Sequence, residues 1–336
     1  MFNLETLAQT TAPLSRINLS AGLSEFPADL YRFSDSLEIL DLSGNKLSDL
    51  PADLHRFHKL KRLFLTSNNF SHIPAVLSLC PALVMVSFKG NQLTEFAEAS
   101  LPEQLEWLIL TDNQLTQLPN DFGRYTKLRK VAMAGNQLSS LPDSMQQCRD
   151  LGLLRLSLNQ FESFPDWLFE LPKLAWLALG ANPACPVPEA QAISAHSLSD
   201  YQLLEKLGEG ASGVIYQARF AREPELVALK QFKGWITSDG CPKDEMNNYL
   251  NAGEHPNLIA VKAKLKDCDL PGLVMELVPA SYSVLGQPPS FDTCTRDTFT
   301  QGQSLTLLKL KQLAQQVVNV MAHLHQKQIV HGDLYA

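Results

Sequence analysis

Leucine recurs along the first half of the chain with a fixed rhythm. Aligning Leu37, Leu60, Leu83, Leu105, Leu128, Leu151 and Leu174 gives steps of 23, 23, 22, 23, 23 and 23 residues. Each opens the same pattern, LxxLxLxxNxLxxLP, as in LEILDLSGNKLSDLP from Leu37 to Pro51. An eighth, degenerate copy opens at Leu14, one residue short and without the asparagine. Self-similarity at this period predicts a stacked array in which each unit buries its apolar face against its neighbours. Within a copy, apolar residues two apart, such as Leu40 and Leu42, share one face of a short strand. The pattern therefore predicts one strand per repeat and a continuous leucine core.

The rhythm ends at Asn182. Pro183, Pro186 and Pro188 follow, and none can continue a strand ladder or a helix interior. From Tyr201 the pattern changes to two strand-like runs around a glycine cluster, YQLLEKLGEGASGVIYQARF. Near the end, LTLLKLKQLAQQVVNVMAHLHQKQ predicts a long amphipathic helix with Leu308, Leu313, Val317, Val320 and Leu324 spaced for burial. The organisation read from this is an array over 1–190, a short, partly extended linker over 191–200 and a second domain over 201–336.

Composition narrows the class. In 336 residues, 45% hydrophobic content is enough for a real core. Lys plus Arg is 28 against 35 Asp plus Glu, a net charge of −7 that speaks against a nucleic-acid binder and a polybasic membrane-surface protein. The six cysteines include no CxxC pair, so zinc-site spacing is absent and no metal site is read. The N-terminus has no basic and apolar signal segment, and no apolar run is long enough to span a bilayer. A soluble, cytoplasmic protein is the expectation.

Two sets of repeat positions carry different meanings. Asn45, Asn68, Asn91, Asn113, Asn136, Asn159 and Asn182 recur at the ninth position, where stacked amides can satisfy backbone groups left free in the turn. They read as a structural ladder, and Cys80 and Cys148 as small core residues. The third and fifth positions point the other way, to the concave face. There Phe64, Met85, Trp107, Ile109 and Trp176 place large apolar groups where a solvated strand would be polar, with Arg62, Lys130 and Arg155 beside them. Trp and Arg are frequent binding anchors. A protein-binding strip centred on Phe64, Met85, Trp107 and Ile109, with Arg155 and Trp176, is expected, unless another part of the chain covers it.

The array resembles the leucine-rich repeat family in its 23-residue form, over about residues 14–186. The second half contains Gly208, Gly210, Gly213 and Val214 as GxGxxGxV. That motif alone also fits a dinucleotide-binding fold, but there a helix should follow the glycines. Here VIYQARF follows, β-branched and aromatic, which reads as a strand. Lys230 comes 17 residues after Gly213 in VALK, then His255-Pro256-Asn257, the buried run GLVMELV from Gly272 to Val278, the long helix, and His331-Gly332-Asp333. In this order and spacing the segment resembles the protein kinases.

The resemblance implies the fold class and the roles. The fold is an α/β leucine-rich-repeat solenoid (a horseshoe of about eight repeats), followed by a protein-kinase-like α+β domain truncated after the HGD. ATP would lie against Leu207, Gly208, Glu209, Gly210, Ala211, Ser212, Gly213 and Val214, with Ala228 and Val214 sandwiching adenine. Met275 would be the gatekeeper, and Glu276 to Val278 would offer backbone groups. Lys230 would hold phosphates with a helix carboxylate, Glu245 or its rival Asp244. Asp333 would orient the substrate hydroxyl or accept its proton. Gly332 replaces the usual Arg of this loop, which puts regulation by an activation-loop phosphate in doubt. Tyr335 does not distinguish serine/threonine from tyrosine kinases. Ala336 closes the chain before the loop asparagine and the DFG aspartate, so the Mg²⁺ ligands would lie beyond residue 336 and the chain is read as catalytically incomplete. The implied function is a protein kinase, serine/threonine by preference, with repeats that bind a protein. The alternative is a leucine-rich-repeat interaction protein whose second half is a pseudokinase that at most binds nucleotide.

Overall fold

The computed structural model describes residues 7, 9–186, 189–190, 192–210, 212–221, 225–234, 241–286, 299–300, 302 and 304–329. The chain divides into two compact units, the first running to Pro186.

The first unit is one parallel sheet whose eight strands follow chain order. They are β1 (Arg16–Asn18), β2 (Ile39–Asp41), β3 (Arg62–Phe64), β4 (Met85–Ser87), β5 (Trp107–Ile109), β6 (Lys130–Ala132), β7 (Leu153–Arg155) and β8 (Trp176–Ala178). Every strand is three residues long, and the repeats stack in register: Leu40 on Leu63 on Val86 on Leu108 on Val131 on Leu154. These middle residues are fully buried and belong to one core that runs the length of the stack. The degenerate first copy contributes β1 in the same register as β2. Return segments carry short 3-10 turns that bury Leu30, Leu54, Leu77, Phe122, Met145 and Leu168.

A hydrogen-bonded ladder of asparagines closes each turn. Asn113 is representative: its Oδ1 accepts from the Leu93 N–H of the preceding repeat, and its Nδ2 donates to the Phe88 and Leu110 carbonyls. Buried polar groups of this kind are stable because each lone pair and proton has a partner. The residue just before the asparagine is left-handed in each full repeat: Gly44, Ser67, Gly90, Asp112, Gly135, Leu158 and Ala181. Glycine occupies three of these seven positions, and the stack holds the other four residues in a conformation that costs an L side chain about 1–2 kcal/mol. Cys80 and Cys148 lie in the core, and burial pushes their thiols up to about 11 and about 12.

The second unit is built on a six-stranded sheet of order β10-β11-β12-β14-β13-β9. Its strands are β9 (Ala195–Ser197), β10 (Tyr201–Glu209), β11 (Gly213–Phe220), β12 (Leu226–Phe232), β13 (Val261–Lys266) and β14 (Gly272–Glu276). All neighbours are antiparallel except β9, which pairs in parallel with β13. The stretch read as linker is thus structured over 195–200. His196 stacks on Phe220 and Tyr201, and Ser197 with Asp200 forms a capping box. Helix α1 (Pro242–Ala252) packs Met246 on the cluster of Ala228, Phe232, Leu273 and Met275.

Helix α2 (Leu307–Gln326) is capped by Thr306, whose hydroxyl accepts from the Lys309 N–H. Its predicted burial is graded along the helix: Leu308 is 67% exposed, Leu313, Val317 and Val320 are half-buried, and Leu324 is 4% exposed. No helix among the described residues is long and apolar enough to cross a membrane.

Candidate functional site

In the second unit the site grows from β-pairing. β10 and β11 form the hairpin that carries the glycines, and β11 pairs with β12 along its whole length. Gly213 has to be glycine on packing grounds, since a Cβ there would lie 2.6 Å from the Gln231 carbonyl oxygen. At Gly208 and Gly210 a Cβ would meet nothing within 4 Å among the described residues, so there that side of the hairpin is open to an approaching group. Ala211 and Asp333 lie outside the described residues, as do His331, Gly332 and Tyr335.

β12 carries Lys230 inward. The lysine is 8% exposed, and its ammonium meets Glu245 of α1 at 2.5 Å. A buried ammonium requires such a partner, because unpaired it would forfeit its hydration. Two aromatic rings complete the surroundings: the ammonium lies 4.7 Å from the Phe232 ring and 5.7 Å from Tyr249. Asp244, the rival carboxylate, does not reach Lys230. Its buried Oδ2 has no hydrogen-bond partner among the described residues, and burial raises its pKa.

Ala228 of β12 faces Met275 of β14 in register, and both are buried in the cluster that α1 covers. Val214, the second residue of β11, is partly exposed. Glu276 ends β14, and its N–H donates to the Ala260 carbonyl. Leu207 and Val278 are exposed. The arrangement is an open glycine hairpin over a strand that presents one fixed cation, with small and apolar residues alongside. That combination can receive an anionic group next to a flat apolar one.

Sequence reasoning missed Phe232 and Tyr249. Each had a signal: Phe232 is two residues from Lys230 on one strand face, and Tyr249 is four residues from Glu245 on one helix face.

On the first unit, Trp107, Phe64, Ile109, Arg155 and Trp176 are partly exposed along the concave face. Lys130 lies 4.7 Å from the Trp107 ring and Arg155 4.8 Å from that of Trp176, two cation–π pairs between adjacent strands. Met85 is a correction. It is only 4% exposed, in register between Arg62 and Trp107, and does not belong to an exposed strip.

Comparison with known proteins agrees with both halves. Residues 33–93 match the family model described as leucine rich repeat, and residues 201–335 that of the protein kinase domain. The chain joins leucine-rich repeats to a protein kinase domain. Within the kinase class it is 32% identical over 145 residues to cyclin-dependent kinase 11.1 of Caenorhabditis elegans, covering 41% of this chain and 19% of that protein. It is 31% identical over 142 residues to the serine/threonine-protein kinase PITSLRE of Drosophila melanogaster, covering 41% of this chain and 14% of that protein. The chain therefore spans less than a fifth of the length of these relatives. A solved leucine-rich repeat protein of Leptospira interrogans, LIC12759, is 27% identical with a TM-score of 0.41, covering 49% of this chain and 48% of that one.

Proposed function

We propose that this protein is a serine/threonine protein kinase whose nucleotide site is formed by Leu207–Val214, Ala228, Lys230, Glu245, Met275, Glu276 and Val278. The observation that carries the reading is the ion pair of buried Lys230 with half-buried Glu245 beneath the glycine hairpin. In this reading Lys230 binds the phosphates of ATP, and Glu245 keeps the ammonium aimed at them. The glycines let backbone N–H groups approach the phosphate oxygens. Ala228 and Val214 enclose adenine, and Asp333 orients the hydroxyl that accepts the γ-phosphate. The acceptor preference rests on the serine/threonine relatives. Magnesium enters through the kinase likeness: among the described residues no group of three or more His, Cys, Asp or Glu is placed to hold a metal ion. The five cysteines among the described residues are free, two of them sealed in the core, which supports placing the protein inside the cell, in the cytoplasm.

The test is binding of a fluorescent ATP analogue to the 336-residue protein and to Lys230→Met. A hydrogen bond to a charged group is worth about 1.5–3 kcal/mol, so affinity should fall roughly 10- to 100-fold. Equal binding by the two proteins would refute the nucleotide site. Absence of nucleotide binding by both proteins would favour the interaction-protein reading.

The concave strip of Phe64, Trp107, Ile109, Arg155 and Trp176 is proposed as the surface that holds a protein partner. Support comes from the partly exposed aromatic residues and their cationic neighbours. A Phe64→Ala/Trp107→Ala protein that retained the partners of the wild type at equal strength would exclude this surface.

A further inference from the structure

A second lysine meets the glycine hairpin. Lys233 follows the end of β12 by one residue, and three of its interactions reach the hairpin tip. Its backbone N–H donates to the Ser212 carbonyl at 3.0 Å. Its ammonium donates to the Gly210 carbonyl at 3.1 Å and pairs with the Glu209 carboxylate. Glu209 is shared, because Lys206 of β10 pairs with it from the other side. A backbone bond spans the tip, Gly210 N–H to the Gly213 carbonyl at 2.9 Å. Residues of β10, the tip and the end of β12 thus converge through two ammoniums on one carboxylate. Held between two ammoniums, the Glu209 carboxyl stays down at about 2 and is ionised throughout the neutral range.

We infer that Lys233 is a positioning residue that, with Glu209, clamps the glycine loop to the end of β12. The inference rests on the proposal that this loop receives the phosphates of ATP. A glycine-rich tip has more backbone freedom to lose than any other loop, so ordering it at the moment of binding weakens affinity. A clamp that orders it beforehand removes part of that loss. The ion pairs are solvent-exposed and individually weak, so their effect lies in restricting the loop.

A competing role predicts the opposite sign at one residue. If Lys233 acted only as a point charge for phosphate, Glu209 would oppose it, and removing the carboxylate would tighten ATP binding. If the two form a clamp, removing either partner loosens the loop and weakens binding.

Hydrogen exchange of the 203–214 region in the nucleotide-free protein reads the clamp directly, because local opening sets the exchange rate. Lys233→Met and Glu209→Gln should each speed exchange there about 3-fold or more, while Lys233→Arg, which keeps a donor and a charge, should stay near wild type. ATP affinity should fall roughly 3- to 10-fold in both loosened variants, with adenosine affinity changed less than about 2-fold. Wild-type exchange in Lys233→Met would overturn the clamp, and so would tighter ATP binding by Glu209→Gln. Faster exchange in the variants of a protein that binds no ATP would sustain the clamp and refute the nucleotide site.

Discussion

Replacing Asn159 with alanine tests whether the asparagine ladder holds the repeats together. Asn159 is 2% exposed. Its Oδ1 accepts from the Leu138 N–H at 3.0 Å, and its Nδ2 donates to the Met133 and Leu156 carbonyls at 2.9 Å each. Two of these partners, Leu138 and Met133, belong to the preceding repeat, so the side chain is a bridge between units. Each bond contributes a net ~1 kcal/mol, and the buried Leu138 N–H left behind adds a desolvation penalty, for a loss of about 3–5 kcal/mol. With a urea dependence of about 2–3 kcal/mol per molar, the midpoint should fall by about 1–2 M. Trp107, Trp167 and Trp176 report solenoid unfolding by fluorescence. Asn69→Ala is the matched control: that asparagine is exposed and makes one long contact, 3.4 Å to the Lys46 carbonyl. Its midpoint should stay within the ~0.5 kcal/mol of an ordinary surface change. Equal midpoints for Asn159→Ala and Asn69→Ala would refute the ladder as a source of stability.

Two further outcomes follow from the same geometry. The core thiols are protonated in the folded state to about 11 at Cys80 and about 12 at Cys148, whereas both ionise near 9 once unfolded. Their contribution is therefore complete below pH 9 and is lost from pH 9 upward, by about 1.4 kcal/mol per pH unit for each thiol. Urea midpoints measured from pH 8 to 10 should decline, and a Cys80→Ala/Cys148→Ala protein with the same slope would contradict this account. At the hairpin, Gly213→Ala sets a Cβ 2.6 Å from the Gln231 carbonyl oxygen and 3.3 Å from Lys230 Cε. It should destabilise the second unit by about 1–3 kcal/mol and weaken ATP binding. Gly208→Ala meets open space, and melting curves that rank the two variants equally would count against the packing argument.

Repetition explains why so much of the first unit is legible in the sequence. Seven aligned copies turn one ambiguous LxL into seven concordant observations, and the Asn column is legible for the same reason. Where the property belongs to the stack and not to the residue, the column blurs. The left-handed position holds Gly44, Gly90 and Gly135 but also Ser67, Asp112, Leu158 and Ala181, because neighbouring turns impose the conformation on whatever residue stands there. Met85 fails as an exposed anchor in a similar way: its position in the column reads as outward, yet in the stack it is buried.

The second unit has no repeats to average, so its legibility depends on how local each feature is. The glycine hairpin and Lys230 lie on adjacent strands and show as motifs. The choice between Asp244 and Glu245 is a question of helix phase: successive residues point about 100° apart, and spacing to a distant motif cannot resolve one step. Only the docking of α1, through Met246 onto the Phe232 cluster, turns Glu245 toward Lys230 and Asp244 away. Lys206, Glu209 and Lys233 are harder still. Lys206 and Glu209 lie on β10 and Lys233 just past β12; Lys206 and Lys233 read in sequence as ordinary surface charges, and Glu209 reads only as part of the glycine motif. Their meaning arises from a β-register that brings the end of β12 level with the tip of the hairpin, where Gly213 pairs with Phe232. A feature assembled by register carries no local signature, and a clamp on the glycine loop could be found only once the strands were paired.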